Sequence, residues 1–317
     1  MSPERDRETE EDGVPESAPS EGSRGGRRNV GTEERQGKWQ RGGYWMIRTI
    51  RSGRVIEKSQ FYVGERRPRA KRKKGSSSAK KRDSNAMSAV RRYARLMNCN
   101  FAAGAGILLT LHYDAVHLPA DKTAAERELE NFWRRLGYRL KKAGCELKAT
   151  GITSELDGET GERVRLHHHL VISREGVTVT RNEKGELCAL VGGVDLREVW
   201  KLGGIDIERI SEGQEDLTGI AVYFLGQVEA GEDEKRWKST RNLKKPVIES
   251  ERVSAMSRVL RAPGGATVSE VGHYDEANGS HYIRYIRRPR RKVGGSREMA
   301  LARGELDEAL PETGGGR

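Results

Sequence analysis

Arg163-Val164-Arg165-Leu166-His167-His168-His169-Leu170-Val171-Ile172-Ser173 is the stretch from which the fold can be read. Its even positions, Val164, Leu166, His168, Leu170 and Ile172, are nearly all apolar, while its odd positions include Arg163, Arg165, His167 and His169. Side chains alternate between the two faces of a strand, so the pattern predicts a strand that buries one face and presents His167 and His169 from the other. Imidazoles at i and i+2 stand about 6.6 Å apart along a strand. Their ring nitrogens can converge on one divalent cation, manganese or zinc more readily than magnesium. An oxygen ligand would complete an open site. Glu155, near the end of the preceding strand, is the best candidate, with Asp157 and Glu159 of the intervening turn as alternatives. His168, on the apolar side, is expected as a packed core residue.

Outward from this strand, Asp157-Gly158-Glu159-Thr160-Gly161 reads as a turn and residues 147–155 as a strand. Before them lies a helix, with Thr123 and Glu126 as a capping box, Leu129, Phe132, Trp133, Leu136 and Leu140 as its core stripe, and Gly144 as its stop. Residues 107–113 form a further buried strand. Downstream come an irregular insertion, a short helix at 196–202, a strand at 205–210 and a helix at 215–228. This order predicts an α+β fold, an antiparallel sheet with helices packed on one face.

In the last helix, Leu217, Ile220, Ala221, Phe224 and Val228 share an apolar face, and Tyr223 lies off it. A metal on a basic protein suggests phosphoryl chemistry, which needs a nucleophile. The Tyr223 phenol is free to face a groove, although a surface tyrosine packed on a neighbour would show the same pattern. Further on, Arg236, Trp237, Lys238, Arg241, Lys244 and Lys245 combine cations with an indole, the means by which single strands are held.

The chain of 317 residues carries a net charge of +12, with 34% hydrophobic and 33% charged residues. That supply of apolar residues supports one compact domain of roughly 150–200 residues with solvated extensions. A pI near 9.7 favours nucleic acid over an anionic membrane as partner. No run of 18 apolar residues occurs, which excludes a membrane-spanning helix, and the charged N-terminus is not a signal peptide. Cys99, Cys145 and Cys188 are odd in number and form no Cys-x-x-Cys, as expected of reduced thiols in a cytoplasmic protein. The expected organisation is a disordered tail (1–43), a hairpin (44–65), a basic linker with a short helix near 87–97 (66–104), a catalytic domain (105–248), a C-terminal extension (249–292) and a second disordered tail (293–317). The extension is expected to hold a helix over 253–260 and a hairpin over 266–286.

Several segments together resemble the rolling-circle replication initiators of the HUH endonuclease superfamily, in the branch carried by bacteriophages and mobile elements of bacteria. They are Leu109-Thr110-Leu111-His112-Tyr113, Leu166-His167-His168-His169-Leu170-Val171-Ile172, Trp200-Lys201-Leu202-Gly203-Gly204, Ala221-Val222-Tyr223-Phe224-Leu225 and Ser239-Thr240-Arg241-Asn242-Leu243-Lys244-Lys245-Pro246, in that order. Upstream, Arg48-Thr49-Ile50-Arg51-Ser52-Gly53-Arg54-Val55 is also similar, so the resemblance spans about residues 46–290.

The resemblance implies an RRM/ferredoxin-like sheet, with His167, His169 and Glu155 holding Mn2+ or Mg2+. It implies attack by Tyr223 on single-stranded DNA or an origin hairpin, leaving a 5′-phosphotyrosine link and a 3′-hydroxyl primer, with the host replication machinery as a further partner. Three positions depart from the family pattern. His112 stands where Thr is usual, His168 where an apolar residue is usual, and Gly226 where a lysine normally follows the tyrosine by three. The last departure keeps open a catalytically weakened single-strand-binding protein of the same fold, and an HUH transposase or relaxase is the other alternative.

Overall fold

The computed structural model describes residues 43–64, 79–229, 236–254, 260–275 and 280–288, with side chains described outside 79–83 and 273–275. The chain divides into two units, Met1–Gly43 and Tyr44–Arg317, and the architecture below is that of the second. The expected tails at 1–43 and 293–317 therefore lie outside the described residues, apart from Gly43, as do 65–78 of the basic linker.

The described chain opens with β1 (Tyr44–Ser52), β2 (Val55–Val63), α1 (Ala79–Asn100), β3 (Gly106–His112), α2 (Lys122–Lys142), β4 (Ala149–Leu156) and β5 (Arg163–Ser173). It continues with β6 (Thr178–Arg181), β7 (Leu187–Val191), β8 (Val194–Asp195), α3 (Leu196–Trp200), β9 (Ile205–Arg209) and α4 (Thr218–Gly226). The last strands are β10 (Lys238–Ser239), β11 (Val247–Val253), β12 (Thr267–Asp275) and β13 (Ser280–Ile286). The fold is α+β with antiparallel sheets.

The central sheet has the order β10-β4-β5-β3-β9. One face carries Leu109, Leu111, Leu170 and Ile172, which pack against Leu129, Phe132, Leu136 and Leu140 of α2 and Trp200 of α3. This is the apolar face that the alternation of β5 predicts. Helices cover the second face as well. Leu108, Ile152 and Val171 form an apolar patch there, closed by Tyr93 and Met97 of α1 and by Ala221, Phe224 and Leu225 of α4. Helices on both faces, rather than on the one expected, follow from that patch, because Val171 sits among the odd positions of β5 and needs burial too.

Helix α2 is capped differently from the expected box. Asp121 is the N-cap, and its carboxylate accepts from the Ala124 amide at 2.7 Å, while Glu126 pairs with Lys238. Gly144, just past the helix, takes φ +75°, the left-handed turn that a glycine stop provides. The stretch expected as an irregular insertion builds a small sheet, β6-β7-β8, whose Ala189 and Val191 join the α2-side core. The short helix expected near 87–97 extends over the whole of α1.

A second five-stranded sheet has the order β11-β1-β2-β13-β12, so the N-terminal hairpin and the C-terminal extension are one structure. Trp45 pairs with Val253 and Gln60 with His281. The expected hairpin over 266–286 is β12 paired with β13. Of the helix expected over 253–260, Val253 ends β11 and residues 255–259 lie outside the described residues.

Candidate catalytic centre

Strand register places His112, His167 and Ser154 side by side across β3, β5 and β4, and Thr110, His169 and Ile152 one step further along. Asp206 of β9 pairs with Thr110. All these side chains share the face over which α4 lies. His167 Nε2 and His169 Nε2 stand 3.0 Å apart, with rings edge to face at 4.7 Å between centroids. His167 Nδ1 donates to the Arg165 carbonyl at 2.9 Å, which leaves its Nε2 as a lone pair. His169 Nδ1 meets the Thr110 hydroxyl at 3.1 Å. Such partners on the remote ring nitrogen are how metal-binding imidazoles are oriented.

The third donor at this point is Gln227. Its Oε1 lies 3.1 Å from His169 Nε2 and accepts from Ser154 Oγ at 2.9 Å. Its amide nitrogen donates to the Tyr223 carbonyl at 3.3 Å, which fixes the orientation of the amide. Two imidazole nitrogens and one amide oxygen therefore face one another. Burial lowers the pKa of His167, opposed by its bond to Arg165. Burial, reinforced by His167, pushes that of His169 down to about 4. Both rings are neutral near pH 7, the state a metal requires of its histidines. The donor set fits a divalent cation, with His167, His169 and Gln227 as the residues that could hold it.

Glu155, expected as the third ligand, is not beside the histidines. Its carboxylate is buried against Lys122 Nζ at 2.6 Å, at the start of α2. Parity is the reason. Thr153 pairs with His168 and Ser154 with His167, so the residue after Ser154 falls on the His168 side, where the register between β4 and β5 also shifts. The alternatives Asp157 and Glu159 sit in an exposed turn, where the Asp157 carboxylate accepts from the Glu159 and Thr160 amides. Among the described residues, no three His, Cys, Asp or Glu side chains gather as a metal site. An i+4 spacing from Tyr223 at the end of an apolar helical stripe is the sequence signal that marks Gln227.

His168 lies on the opposite face, fully buried. Tyr113 Oη is 2.7 Å from one ring nitrogen and Thr153 Oγ1 is 3.1 Å from the other, and burial pushes its pKa down to about 3. It is a core residue. His112, at the family's usual Thr position, meets Asp206 at 2.8 Å and lies with its ring centroid 5.9 Å from that of His167.

Helix α4 brings Tyr223 to this centre. Phe224 is buried and stacks on the His169 ring at 5.3 Å, which seats the helix on the imidazole. One residue earlier, Tyr223 is 53% exposed, with its ring centroid 5.2 Å from that of His169. Gly226 is open to solvent. A Cβ there would meet only the Gly158 carbonyl oxygen, at 3.9 Å.

The basic segment is divided in its roles. Trp237 stacks on Tyr93 at 4.9 Å, and Lys238 pairs with Glu126 at 3.0 Å and Glu130 at 2.6 Å, so both serve packing. Arg236 is half-buried. Arg241, Lys244 and Lys245 are exposed, on a backbone that Asn100 grips by accepting from the Lys244 amide and donating to the Lys244 carbonyl, both at 2.9 Å.

Residues 106–225 match the family model of replication-associated proteins of the ORF2 type. The match begins with β3, includes the histidine strand and ends two residues beyond Tyr223. No curated protein and no solved structure matches. Among the described residues no helix is long and apolar enough to cross a membrane.

Proposed function

We propose that this protein is an HUH-type endonuclease that nicks single-stranded DNA with Tyr223 and so primes rolling-circle replication. The observation that carries the reading is the exposed Tyr223 ring, 5.2 Å from the ring of His169, which itself adjoins His167 and Gln227. The replication-associated match over 106–225 supports the same reading.

Tyr223 Oη attacks the phosphorus of a phosphodiester. The new Oη–P bond forms as the P–O3′ bond breaks, the phenolic proton passes to solvent, and the departing 3′ oxygen takes one up. The products are a 5′-phosphotyrosine and a free 3′-hydroxyl, and the bond energy is kept for rejoining. A divalent cation, Mn2+ or Mg2+, held by His167, His169 and Gln227 would polarise the non-bridging oxygens and offset developing charge. Phe224 fixes the helix against His169, and Arg241, Lys244 and Lys245 attract the phosphates of the strand. The partners are single-stranded DNA or an origin hairpin together with the host replication machinery, in the cytoplasm and away from membranes.

The test is a denaturing gel. Wild type with manganese should form a covalent adduct with an end-labelled oligonucleotide, and Tyr223→Phe should form none. Equal adduct in both would remove Tyr223 from the chemistry. The open position at Gly226 favours a second reading, a protein of this fold that binds single strands and nicks them poorly. It predicts salt-sensitive binding without adduct in the same gel.

A further inference from the structure

The second sheet reaches the tyrosine helix through its N-terminal end. Arg284 of β13 donates from Nη2 to Asp216 Oδ1 at 2.7 Å and to Thr218 Oγ1 at 2.6 Å. Arg54, in the β1–β2 turn, pairs with Glu215. The tip of that turn abuts α1. A Cβ at Gly53, whose φ is +62°, would fall 2.4 Å from the Asn98 carbonyl oxygen, so only glycine allows the approach. Asn98 in turn accepts from the Leu217 amide at 2.7 Å and donates to Asp216 at 3.3 Å. Asp216 caps the helix by accepting from the Thr218 amide at 3.0 Å.

We infer that this sheet is a clamp that sets the position of the nucleophile, with Arg284 as its central positioning residue. Helix α4 has nine residues, too few to be stable alone, so its axis is fixed by what holds its ends. Phe224 and Gln227 hold one end on the histidines, and Asn98, Arg54 and Arg284 hold the other. These last three lie outside residues 106–225, so the segment that carries the histidines and Tyr223 borrows its alignment from the flanking chain. Both guanidinium groups are occupied by carboxylates, and the Arg284 side chain is only 12% exposed, which suits a clamp and not a phosphate contact. Tyr223 lies five residues beyond Thr218, about 7.5 Å along the axis. A tilt of about 10° at the N-terminus would move it by about 1.3 Å, and a misplacement near 1 Å can lower a rate about 100-fold.

The catalytic consequence rests on the nicking reading, whereas the clamp itself does not. The test therefore measures both in the full chain, with Arg284→Gln, the milder Thr218→Val, which spares the ion pair, and Arg284→Lys. Backbone hydrogen exchange of α4 should quicken at least 10-fold in Arg284→Gln, while that of α2 stays as in wild type. At saturating oligonucleotide and manganese, the rate of adduct formation should fall about 10- to 100-fold. The oligonucleotide Kd should stay within 2-fold, Thr218→Val should lie between, and Arg284→Lys should restore part of the rate. Unchanged α4 exchange, exchange that rises equally in α2 and α4, or a rate that falls only as binding weakens would each overturn the clamp. If wild type forms no adduct, the nicking reading falls, and α4 exchange alone then decides whether Arg284 holds the helix.

Discussion

Replacing Gln227 by alanine separates the two assignments of the third metal ligand, because Gln227 and Glu155 sit on opposite faces of the central sheet. The change removes an oxygen 3.1 Å from His169 Nε2 and 2.9 Å from Ser154 Oγ. Without metal the cost is modest, about 1–2 kcal/mol, since the Ser154 hydroxyl still reaches the Leu156 carbonyl at 3.2 Å. With metal the difference grows. Loss of even an outer-shell partner weakens metal binding about 10- to 100-fold, so loss of a donor costs at least that. At free manganese about 100 times the wild-type Kd, the ion stabilises wild type by about 2.7 kcal/mol. It would stabilise the variant by about 0.4–1.4 kcal/mol at the same concentration. Thermal unfolding with and without manganese reads this directly. At about 2–4 °C per kcal/mol, wild type should gain about 5–11 °C and Gln227→Ala less than half of that. Glu155→Gln should keep the full gain, and His167→Ala should lose it. If Glu155→Gln abolishes the manganese shift while Gln227→Ala retains it, the third ligand is Glu155 and not Gln227.

Gly226→Lys should be tolerated, because the position is open and its Cβ meets nothing closer than 3.9 Å. It should stabilise α4 by up to about 1 kcal/mol and raise the rate of adduct formation, and a slower rate would count against a phosphate beside this turn. Joint replacement of Arg241, Lys244 and Lys245 by alanine should reduce the slope of log K against log salt for single-strand binding by about 2, at about 0.7 per phosphate contact. An unchanged slope would place the strand elsewhere. Glu57 joins the two sheets' layers through a two-point ion pair with Arg95 at 2.8 and 2.6 Å. Burial pushes its carboxyl up, but Arg95 and the Tyr282 hydroxyl outweigh this and hold it below its ordinary 4.5. A lowered carboxyl pKa gives stability that is full above pH 4.5 and is lost as pH falls through the folded value. Denaturant titrations should show Glu57→Gln less stable by about 3 kcal/mol at pH 7, with a flatter acid limb; an acid limb as steep as wild type's would rule Glu57 out as its source.

What could be read in the sequence and what could not divide along one physical line. Alternation within β5 identifies its two faces from eleven residues, because each side chain's direction depends only on its own strand. The stripe Leu129, Phe132, Leu136 and Leu140 identifies the buried side of α2 for the same reason. Glu155 shows where this stops. Its distance from His167 in sequence is short, but its face depends on register carried through a turn and past an irregularity between Ser154 and Leu156, which no periodicity encodes. The second sheet is a stronger case, since Trp45 meets Val253 and Ile56 meets Tyr285, pairings across more than 200 residues. Trp237 is a third. An indole among cations suggests a base-stacking platform, and only the tertiary fold shows that Tyr93 already occupies its face. A catalytic centre on a sheet is a property of register between elements. The parts of it carried by one element, His167 with His169 on β5 and Tyr223 with Gln227 on α4, are therefore the parts that sequence can reveal, and the pairing of those two elements is what the fold supplies.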